Sequence, residues 1–256
     1  MRIATWNING LRARLEYVQH WLRAVEPDVV GLQELKMADE QFPADVFSSL
    51  GYRSLSHGQK GWNGVAILAR EEITPVQVGL PDQVEQGARL LVGDVAGLRF
   101  GTVYIPNGKT VEHPDFQAKL AFFDSLTAFL EHQDRASPFV LGGDFNLVPA
   151  PIDSWNEEAL SGRIFHTAEE RDRYRALLEL GLKDLWRELR PEDPGHSWWD
   201  YRAGAFHKRQ GLRIDLLLAT SPVVERARAA HLERTWRKKV EGLTPSDHAP
   251  VWVDLG

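Results

Sequence analysis

The chain has 256 residues, of which 43% are hydrophobic, and a formal net charge of −6. No apolar run approaches the roughly 20 residues that a membrane-spanning helix needs, and the first ten residues lack the basic start and apolar stretch of a signal peptide. The chain has no cysteine, which excludes disulfides and thiolate ligands. A metal ion would need oxygen or imidazole ligands, which favours Mg²⁺ or Mn²⁺ over structural zinc, and a reducing cytoplasm fits this composition.

Strands and helices alternate in the first half of the chain. Residues 2–7 alternate apolar and polar side chains, which predicts a strand. Apolar residues at helical spacing predict a helix over 15–25 that Pro27 ends. The next predicted elements are a buried strand over 28–34, a helix over 42–50, and strands over 64–69, 89–95 and 98–105.

The second half repeats this alternation of strand and helix. An amphipathic helix is predicted over 116–130, with Leu120, Phe123, Leu126 and Leu130 on one stripe. A strand over 139–144, a helix over 169–180, and strands over 212–219 and 250–254 follow. This order predicts an α/β protein with two mixed sheets and helices outside them.

Polar residues cluster where the predicted strands end, which is where a rigid scaffold can direct side chains into one cleft. They are Asn7, Asn9, Glu34, Asp144, Asn146, Asp215, Asp247 and His248. Taken singly, most have ordinary structural explanations. Asn-x-Asn-Gly and Gly-Gly-Asp-x-Asn are typical of turns, and Ser-Asp-His is typical of a cap. Glu34 fits the buried strand face and the surface equally well.

Asp215 is the least ordinary member of this set. It interrupts the apolar run over 212–218, and a buried carboxylate needs a partner. We therefore predict that a histidine pairs with it. Trp198 and Trp199 are adjacent, and neighbouring residues on a strand face opposite sides. We expect one of them in the core and the other in the cleft.

The set of motifs TWNINGLR, QELK, YIPNG, GDFN, GLRIDLLL and SDHAPV resembles the exonuclease III family of abasic-site endonucleases, within the endonuclease/exonuclease/phosphatase superfamily. The motifs reach from Trp6 to Val251 in family order. Tyr104 in YIPNG, the segment 197–202 and the segment 211–215 resemble the DNA-cleaving branch. The resemblance implies a four-layer α/β sandwich, with two mixed sheets packed face to face and helices outside. It also implies a single catalytic domain over 1–256.

The resemblance also implies the roles of the metal and water residues. Glu34 matches the principal metal ligand, and Asn7 and Asp247 match positions that help to hold or hydrate the ion. Asp144 matches the residue that positions or deprotonates the attacking water, and Asn146 orients that water or the phosphate. Both also lie among the expected metal contacts. Asn9 stands where some relatives carry an acid, which puts its share in metal binding in doubt.

Further matched positions imply contacts with the substrate. His248 would contact the scissile phosphate while Asp215 holds its ring, and Tyr104 would reach the same phosphate or a metal-bound water. Asn107 matches a contact with the DNA backbone, and Trp198 matches a wall of the pocket for the abasic sugar. Basic residues that could contact DNA, Arg202 foremost, are Arg12, Arg14, Lys36, Lys60, Lys109, Arg202, Lys208, Arg209, Arg237, Lys238 and Lys239.

The implied activity is hydrolysis of DNA on the 5′ side of abasic sites, together with 3′–5′ exonuclease and 3′ phosphatase activities. It would use one or two Mg²⁺ ions, with Mn²⁺ as an alternative. The expected partner is duplex DNA with abasic sites or blocked 3′ ends. We expect a cytoplasmic monomer without membrane contact. Two other hypotheses stay open: a phosphoesterase for lipid or inositol headgroups, and a catalytically silent DNA-binding relative.

Overall fold

Twelve strands form two six-stranded sheets in the computed structural model, which describes residues 1–256. The first sheet contains β1 (Arg2–Asn7), β2 (Val29–Gln33), β3 (Arg53–His57), β4 (Val65–Ala69), β11 (Ala227–Leu232) and β12 (Val251–Leu255). The second contains β5 (Thr74–Val78), β6 (Leu90–Val95), β7 (Leu98–Tyr104), β8 (Phe139–Asp144), β9 (Lys183–Asp184) and β10 (Asp215–Ala219). Their strand orders are β11-β12-β1-β2-β4-β3 and β5-β6-β7-β8-β10-β9. Each sheet is mixed, because β1 with β2 and β7 with β8 are parallel while the other pairs are antiparallel.

Helices cover the outer faces of both sheets, while two short ones, over 185–189 and 221–224, contribute residues to the core between the sheets. They are α1 (Leu11–Val25), α2 (Ala44–Ser48), α3 (Pro114–Glu131), α4 (Glu157–Leu160), α5 (Ala168–Glu179), α6 (Leu185–Leu189) and α7 (Ser221–Val224). Tyr17 and Trp21 of α1 pack with Trp6 on the first sheet. Phe123 of α3 and Leu177 of α5 pack on the second. No helix is both long enough and apolar enough to cross a bilayer.

The central core lies between the two sheets, where the first sheet contributes Ile3 and Val29 and the second contributes Phe100 and Val140. Successive strand residues face opposite sides, so Ala4, next to Ile3, packs beneath α1 instead. The structure therefore confirms the predicted sandwich of two mixed sheets with helices outside.

Two glycines at the end of β8 allow close packing beside the polar strand ends. A Cβ atom on Gly143 would lie 2.0 Å from the backbone oxygen of Val103. A Cβ atom on Gly142 would lie 2.9 Å from Leu217 Cδ2 and 3.3 Å from Thr5 Cβ. Because Thr5 belongs to the first sheet, Gly142 is needed for the close approach of the two sheets.

The predicted elements are all present in the structure, but their bounds agree with it to different degrees. Strands β1 and β8 have the predicted bounds. The helix predicted over 15–25 begins earlier, at Leu11, and the one predicted over 42–50 shortens to Ala44–Ser48. The strand predicted from 212 begins at Asp215, because Leu212 forms isolated bridges with Ser154 and Trp198.

Strands β3, β5 and β11 were missed by the sequence patterns. Strand β5 is largely exposed, β3 and β11 are mostly half-buried, and each of the three lies at an edge of its sheet. Their sequences, RSLSH, TPVQV and ARAAHL, contain few large apolar residues, so they lack the regular apolar alternation from which strands are predicted.

A buried ion network provides a test of the fold. Arg213 is 1% exposed, its Nε donates to Asp153 Oδ1 at 2.6 Å, and its Nη1 donates to Asp184 Oδ2 at 2.7 Å. Arg213→Met removes a cation from two buried carboxylates, so we expect a loss of roughly 3–5 kcal/mol in the free energy of unfolding, measured by urea titration. The control is Arg175→Met, whose partner Asp172 lies on the exposed face of α5; it should change stability by less than about 0.5 kcal/mol. Equal losses in both variants would contradict the expectation.

Candidate active site

Two buried carboxylates lie directly opposite each other on neighbouring strands of the second sheet. Asp144 ends β8, Asp215 begins β10, and the antiparallel register pairs them. Each is 1% exposed. His248 lies between them, with Nδ1 2.9 Å from Asp215 Oδ2 and Nε2 3.8 Å from Asp144 Oδ2. The predicted histidine partner of Asp215 is therefore confirmed.

The two carboxylates of this cluster differ in their surroundings. Burial raises the pKa of Asp144 to about 7, against the opposing charge of His248. Burial alone would lower the pKa of His248, but the charge and hydrogen bond of Asp215 outweigh it and raise that pKa to about 10. The Ser197 hydroxyl also donates to Asp215 Oδ2 at 2.5 Å. His248 is thus a cation near neutral pH, and Asp144 can exchange a proton there.

Glu34 brings a third carboxylate to the cluster from the first sheet. It follows β2 with a left-handed φ of 56°, so the strand ends there. Asn7 Nδ2, at the end of β1, donates to both Glu34 Oε1 and Asp144 Oδ2 at 2.8 Å. Lys36 Nζ lies 2.8 Å from Glu34 Oε2. Asn7 therefore joins the strand ends of the two sheets.

Three of these side chains bring possible ligand atoms close together. Glu34, Asp144 and His248 each offer a ligand atom, and the three atoms lie within 4.8 Å of one another. The charge of Glu34 also raises the pKa of Asp144, a repulsion that a bound cation would relieve. Because His248 is protonated and bonded to Asp215, the atoms free to bind a cation are the carboxylate oxygens of Glu34 and Asp144, which fit a hard divalent ion.

Asn7 and Asp247, two other expected metal contacts, hold neighbouring side chains in this structure. Asn7 turns its amide nitrogen to the carboxylates. Asp247 lies outside the group of three, and its oxygens accept hydrogen bonds from Asn9 Nδ2 at 2.8 Å and Trp198 Nε1 at 3.0 Å. Their roles as metal ligands stay predictions.

Tyr104, Asn107 and Asn146 lie beside Asp144, as the motifs led us to expect. Tyr104 pairs in register with Asp144 across β7 and β8. Burial and the nearby carboxylates raise the pKa of Tyr104 well above its usual value, so its hydroxyl stays protonated. Asn146 donates its backbone N–H to Asp144 Oδ1 at 2.9 Å, and Asn107 Nδ2 donates to Asn146 Oδ1 at 3.3 Å.

The two adjacent tryptophans separate as expected. Trp199 is 1% exposed and lies in the interior. Trp198 is half-buried, and its ring centroid lies 6.4 Å from the rings of both His248 and Phe165. Trp198 thus forms one wall of the cleft next to the imidazole.

Several basic residues predicted as DNA contacts lie apart from this cluster. The Arg202 side chain is 89% exposed and pairs with Asp200 at 2.9 Å, so the structure does not bring it to the carboxylates. Arg237 is buried and donates to the backbone oxygen of Trp199 at 3.1 Å. Its guanidinium therefore packs largely in the interior, and its role as a DNA contact stays a prediction.

Three residues with direct links to the cluster were missed in the sequence. Ser197 contacts Asp215, the Arg89 guanidinium lies 4.8 Å from the Tyr104 ring centroid, and Lys119 Nζ donates to the backbone oxygen of Asn146 at 2.6 Å. Ser197 lies in the recognised segment 197–202, Arg89 has no local signal, and Lys119 has one in the helical pattern. This lysine falls on the apolar stripe of its helix, three residues after Phe116, where a solvated lysine is not expected.

Comparison with known proteins agrees with this geometry. The sequence matches the endonuclease/exonuclease/phosphatase family over residues 4–248. It is 35% identical to exodeoxyribonuclease III of Haemophilus influenzae over 270 aligned positions, which cover 100% of both chains. The structure is similar to that of a 3′ phosphatase from Neisseria bound to a product DNA hairpin, with a TM-score of 0.96, 35% identity, and coverage of 100% of this chain and 99% of that one. It is also similar to an AP endonuclease from Archaeoglobus fulgidus, with a TM-score of 0.95, 33% identity and the same coverage.

Removal of the first-sheet carboxylate should weaken cation binding. Glu34→Gln keeps the shape of the side chain but removes its charge, so we expect the Kd for Mn²⁺ to rise about tenfold or more. Titration followed by electron paramagnetic resonance measures this constant. The matched control Glu40→Gln, at an exposed position, should bind Mn²⁺ as the unaltered protein does. An unchanged Kd for Glu34→Gln would exclude Glu34 as a ligand.

Proposed function

The chain belongs to the endonuclease/exonuclease/phosphatase family, and from this premise we propose that it hydrolyses the DNA backbone on the 5′ side of abasic sites. It is a phosphodiester hydrolase and DNA repair nuclease of the exodeoxyribonuclease III and AP endonuclease group. The observation that carries the proposal is the position of His248 between two buried carboxylates, beside Glu34.

The proposed cofactor is Mg²⁺, with Mn²⁺ as an alternative ion, held by Glu34 beside Asp144. A phosphodiester is an anion that repels an attacking oxygen. When bound, the divalent ion would neutralise part of the phosphate charge and stabilise the departing oxygen. Hydrolysis also needs a base, a hydrogen-bond donor to the phosphate, and groups that hold both in place. The side chains of this protein provide these.

The different pKa values of Asp144 and His248 indicate which residue acts as the base and which as the proton-bearing donor. Asp144, with its pKa raised to about 7 by burial, accepts the proton of the attacking water. His248 donates its Nε2–H to a phosphate oxygen as negative charge develops. Asp215 holds Nδ1 at 2.9 Å, which directs Nε2 toward the cleft and keeps the ring charged. Asn146, bonded to Asp144, orients the water or the phosphate.

An apolar surface beside His248 supports an abasic sugar as the bound group. Trp198 packs on a cluster that contains Val148, Phe165, Leu212 and Ile214. An abasic nucleotide has no base to unstack, which lowers the cost of moving it out of the duplex. We propose duplex DNA with abasic sites or blocked 3′ ends as substrate, and 3′–5′ exonuclease and 3′ phosphatase as accompanying activities. A monomeric state and a cytoplasmic location stay predictions.

The two other hypotheses are less well supported. Relatives aligned along the full chain are named as DNA nucleases, which disfavours a lipid or inositol headgroup as substrate. A silent DNA-binding relative would not need the intact cluster of Glu34, Asp144, Asp215 and His248.

An incision assay tests the proposed function. The protein is incubated with a duplex that carries one synthetic abasic site, in Mg²⁺ and then in EDTA. We expect a single cut 5′ to the site in Mg²⁺ and none in EDTA, resolved on a denaturing gel. Binding without incision in Mg²⁺ would favour the silent relative, and neither binding nor incision would favour a headgroup substrate.

The two proton-handling residues should each be essential for turnover. Asp144→Asn and His248→Asn each remove one positioned group, so we expect kcat to fall about 100- to 1000-fold. Asp82→Asn, at an exposed position, serves as the control with unchanged kcat. Near-normal turnover in either site variant would refute its assigned role.

Binding of DNA should depend steeply on salt, despite the net charge of −6. Basic residues at the cleft, such as Arg14 and Lys36, displace counterions when they contact phosphates. We expect the Kd of the His248→Asn variant for the abasic duplex to rise about tenfold or more between roughly 50 and 200 mM salt. Fluorescence anisotropy gives the Kd, and a flat response would argue against phosphate contacts.

A further inference from the structure

Lys119 is an ammonium group in the protein interior. It lies in α3 with a side chain that is 0% exposed, and its Nζ lies 4.8 Å from the Phe165 ring centroid. Such burial lowers the pKa of Lys119, although the charge of Glu170 opposes the shift. Taking a charge out of water is costly unless every donor finds an acceptor. We therefore ask which groups accept hydrogen bonds from the buried ammonium of Lys119.

The three donors of the Lys119 ammonium have three acceptors on different segments. One is the Glu170 carboxylate, the second is the backbone oxygen of Asn146 at 2.6 Å, and the third is the backbone oxygen of Asn107 at 3.3 Å. Glu170 in turn accepts from the backbone N–H of Phe165 and Thr167, both at 3.1 Å. Lys119 therefore joins α5 to the segments that follow β7 and β8.

The two backbone oxygens bound by Lys119 belong to residues whose side chains meet at the candidate active site. Asn107 Nδ2 donates to Asn146 Oδ1 at 3.3 Å, and the backbone N–H of Asn146 donates to Asp144 Oδ1 at 2.9 Å. Asn146 also has a left-handed φ of 48°, a conformation that asparagine adopts more readily than most residues. Lys119 thus binds the backbone oxygens of Asn107 and Asn146, while Asn146 contacts Asp144 and Asn107 contacts Asn146.

Gly108 shows how closely the Asn107 segment packs on this lysine. Its φ is 85°, and a Cβ atom there would lie 3.0 Å from Lys119 Cδ. The segment contacts the aliphatic part of Lys119 through Gly108 and its ammonium through Asn107. Both contacts restrict where the Asn107 side chain can lie.

We propose that Lys119 is a positioning residue for DNA cleavage, which sets the distance between Asn107 and Asn146 by bonding both backbone oxygens at one point. This inference rests on the proposed function. Lys119 does not touch the substrate; it acts through the two asparagines, which would contact the DNA backbone and orient the attacking water. Reactions of this kind are sensitive to displacements of about 1 Å, which can change rates about 100-fold.

A purely structural role makes a different prediction. If Lys119 only neutralises Glu170, removing both charges together should restore the protein. If Lys119 positions the two backbone oxygens, removing both charges restores stability but leaves those oxygens without a donor.

The experiment compares Lys119→Met with the double variant Lys119→Met/Glu170→Gln. Both are assayed for unfolding in urea and for kcat and KM on the abasic duplex in Mg²⁺. We expect the double variant to be more stable than Lys119→Met, because no buried carboxylate is left unpaired. We expect kcat to stay about 10- to 100-fold below that of the unaltered protein in the double variant, since the two asparagines are not restored.

A stability control on the same helix is Leu126→Ala. Leu126 is 0% exposed, lies about two helical turns beyond Lys119 and packs in the core beneath α3. This variant should lose stability but keep kcat at a temperature where it is folded. The side-chain amide signals of Asn107 and Asn146 in NMR spectra should shift in the double variant and stay in place in Leu126→Ala.

The outcomes separate the two proposals. A double variant that regains both stability and kcat, with unshifted amide signals, overturns the positioning role while the proposed function stands. Regained stability with a low kcat and shifted signals supports the positioning role. If the unaltered protein fails to cut the abasic duplex, the proposed function is overturned and the inference about Lys119 with it.

Discussion

The cross-strand pairing of Asp144 with Asp215 is the constraint on which the rest of the site depends. Two carboxylates directly opposite each other on a sheet destabilise it, and both are 1% exposed. A buried pair of this kind needs a cation between its members, and His248 provides one. His248 bonds directly to Asp215, so the positive charge of the imidazolium neutralises that carboxylate. Asp144 is not bonded to the ring in this way and keeps the raised pKa that a base near neutral pH needs.

The two sheets each deliver part of this cluster because their parallel strands end at the same side of the sandwich. Strands β1 and β2 bring Asn7 and Glu34, and strands β7 and β8 bring Tyr104 and Asp144. Asn7 bridges carboxylates of both sheets. Behind them the interior supplies a second set of charges, with Lys119 bonded to the asparagine segments. The carboxylates at the cleft therefore accept hydrogen bonds from the neutral amide of Asn7, and the backbone of the neighbouring asparagines is bonded to a buried ammonium.

Much of this arrangement could be predicted from the sequence, and the limits have physical causes. Strand β8 and its Gly-Gly-Asp-x-Asn end were predicted with correct bounds, because a run of buried apolar residues followed by glycine and asparagine is a strong local pattern. Asp215 was recognised by its place in an apolar run. The edge strands β3, β5 and β11 contain few large apolar residues, and so they left no such pattern. Ser197 begins a segment that was recognised, but its own role was missed, and Arg89 has no local signal; only folding brings them to Asp215 and Tyr104.

The sequence by itself determined which chemical groups this protein has at its strand ends: carboxylates, amides and an imidazole, with no thiolate. It also determined the family, through motifs spread from Trp6 to Val251. Only the tertiary structure decided how those groups divide their roles. Which carboxylate pairs with His248, which one has its pKa raised to about 7, and which residues lie within reach of a cation depend on burial and on distances of a few ångströms. Those quantities arise between residues far apart in the chain, and they exist only once the two sheets have packed together.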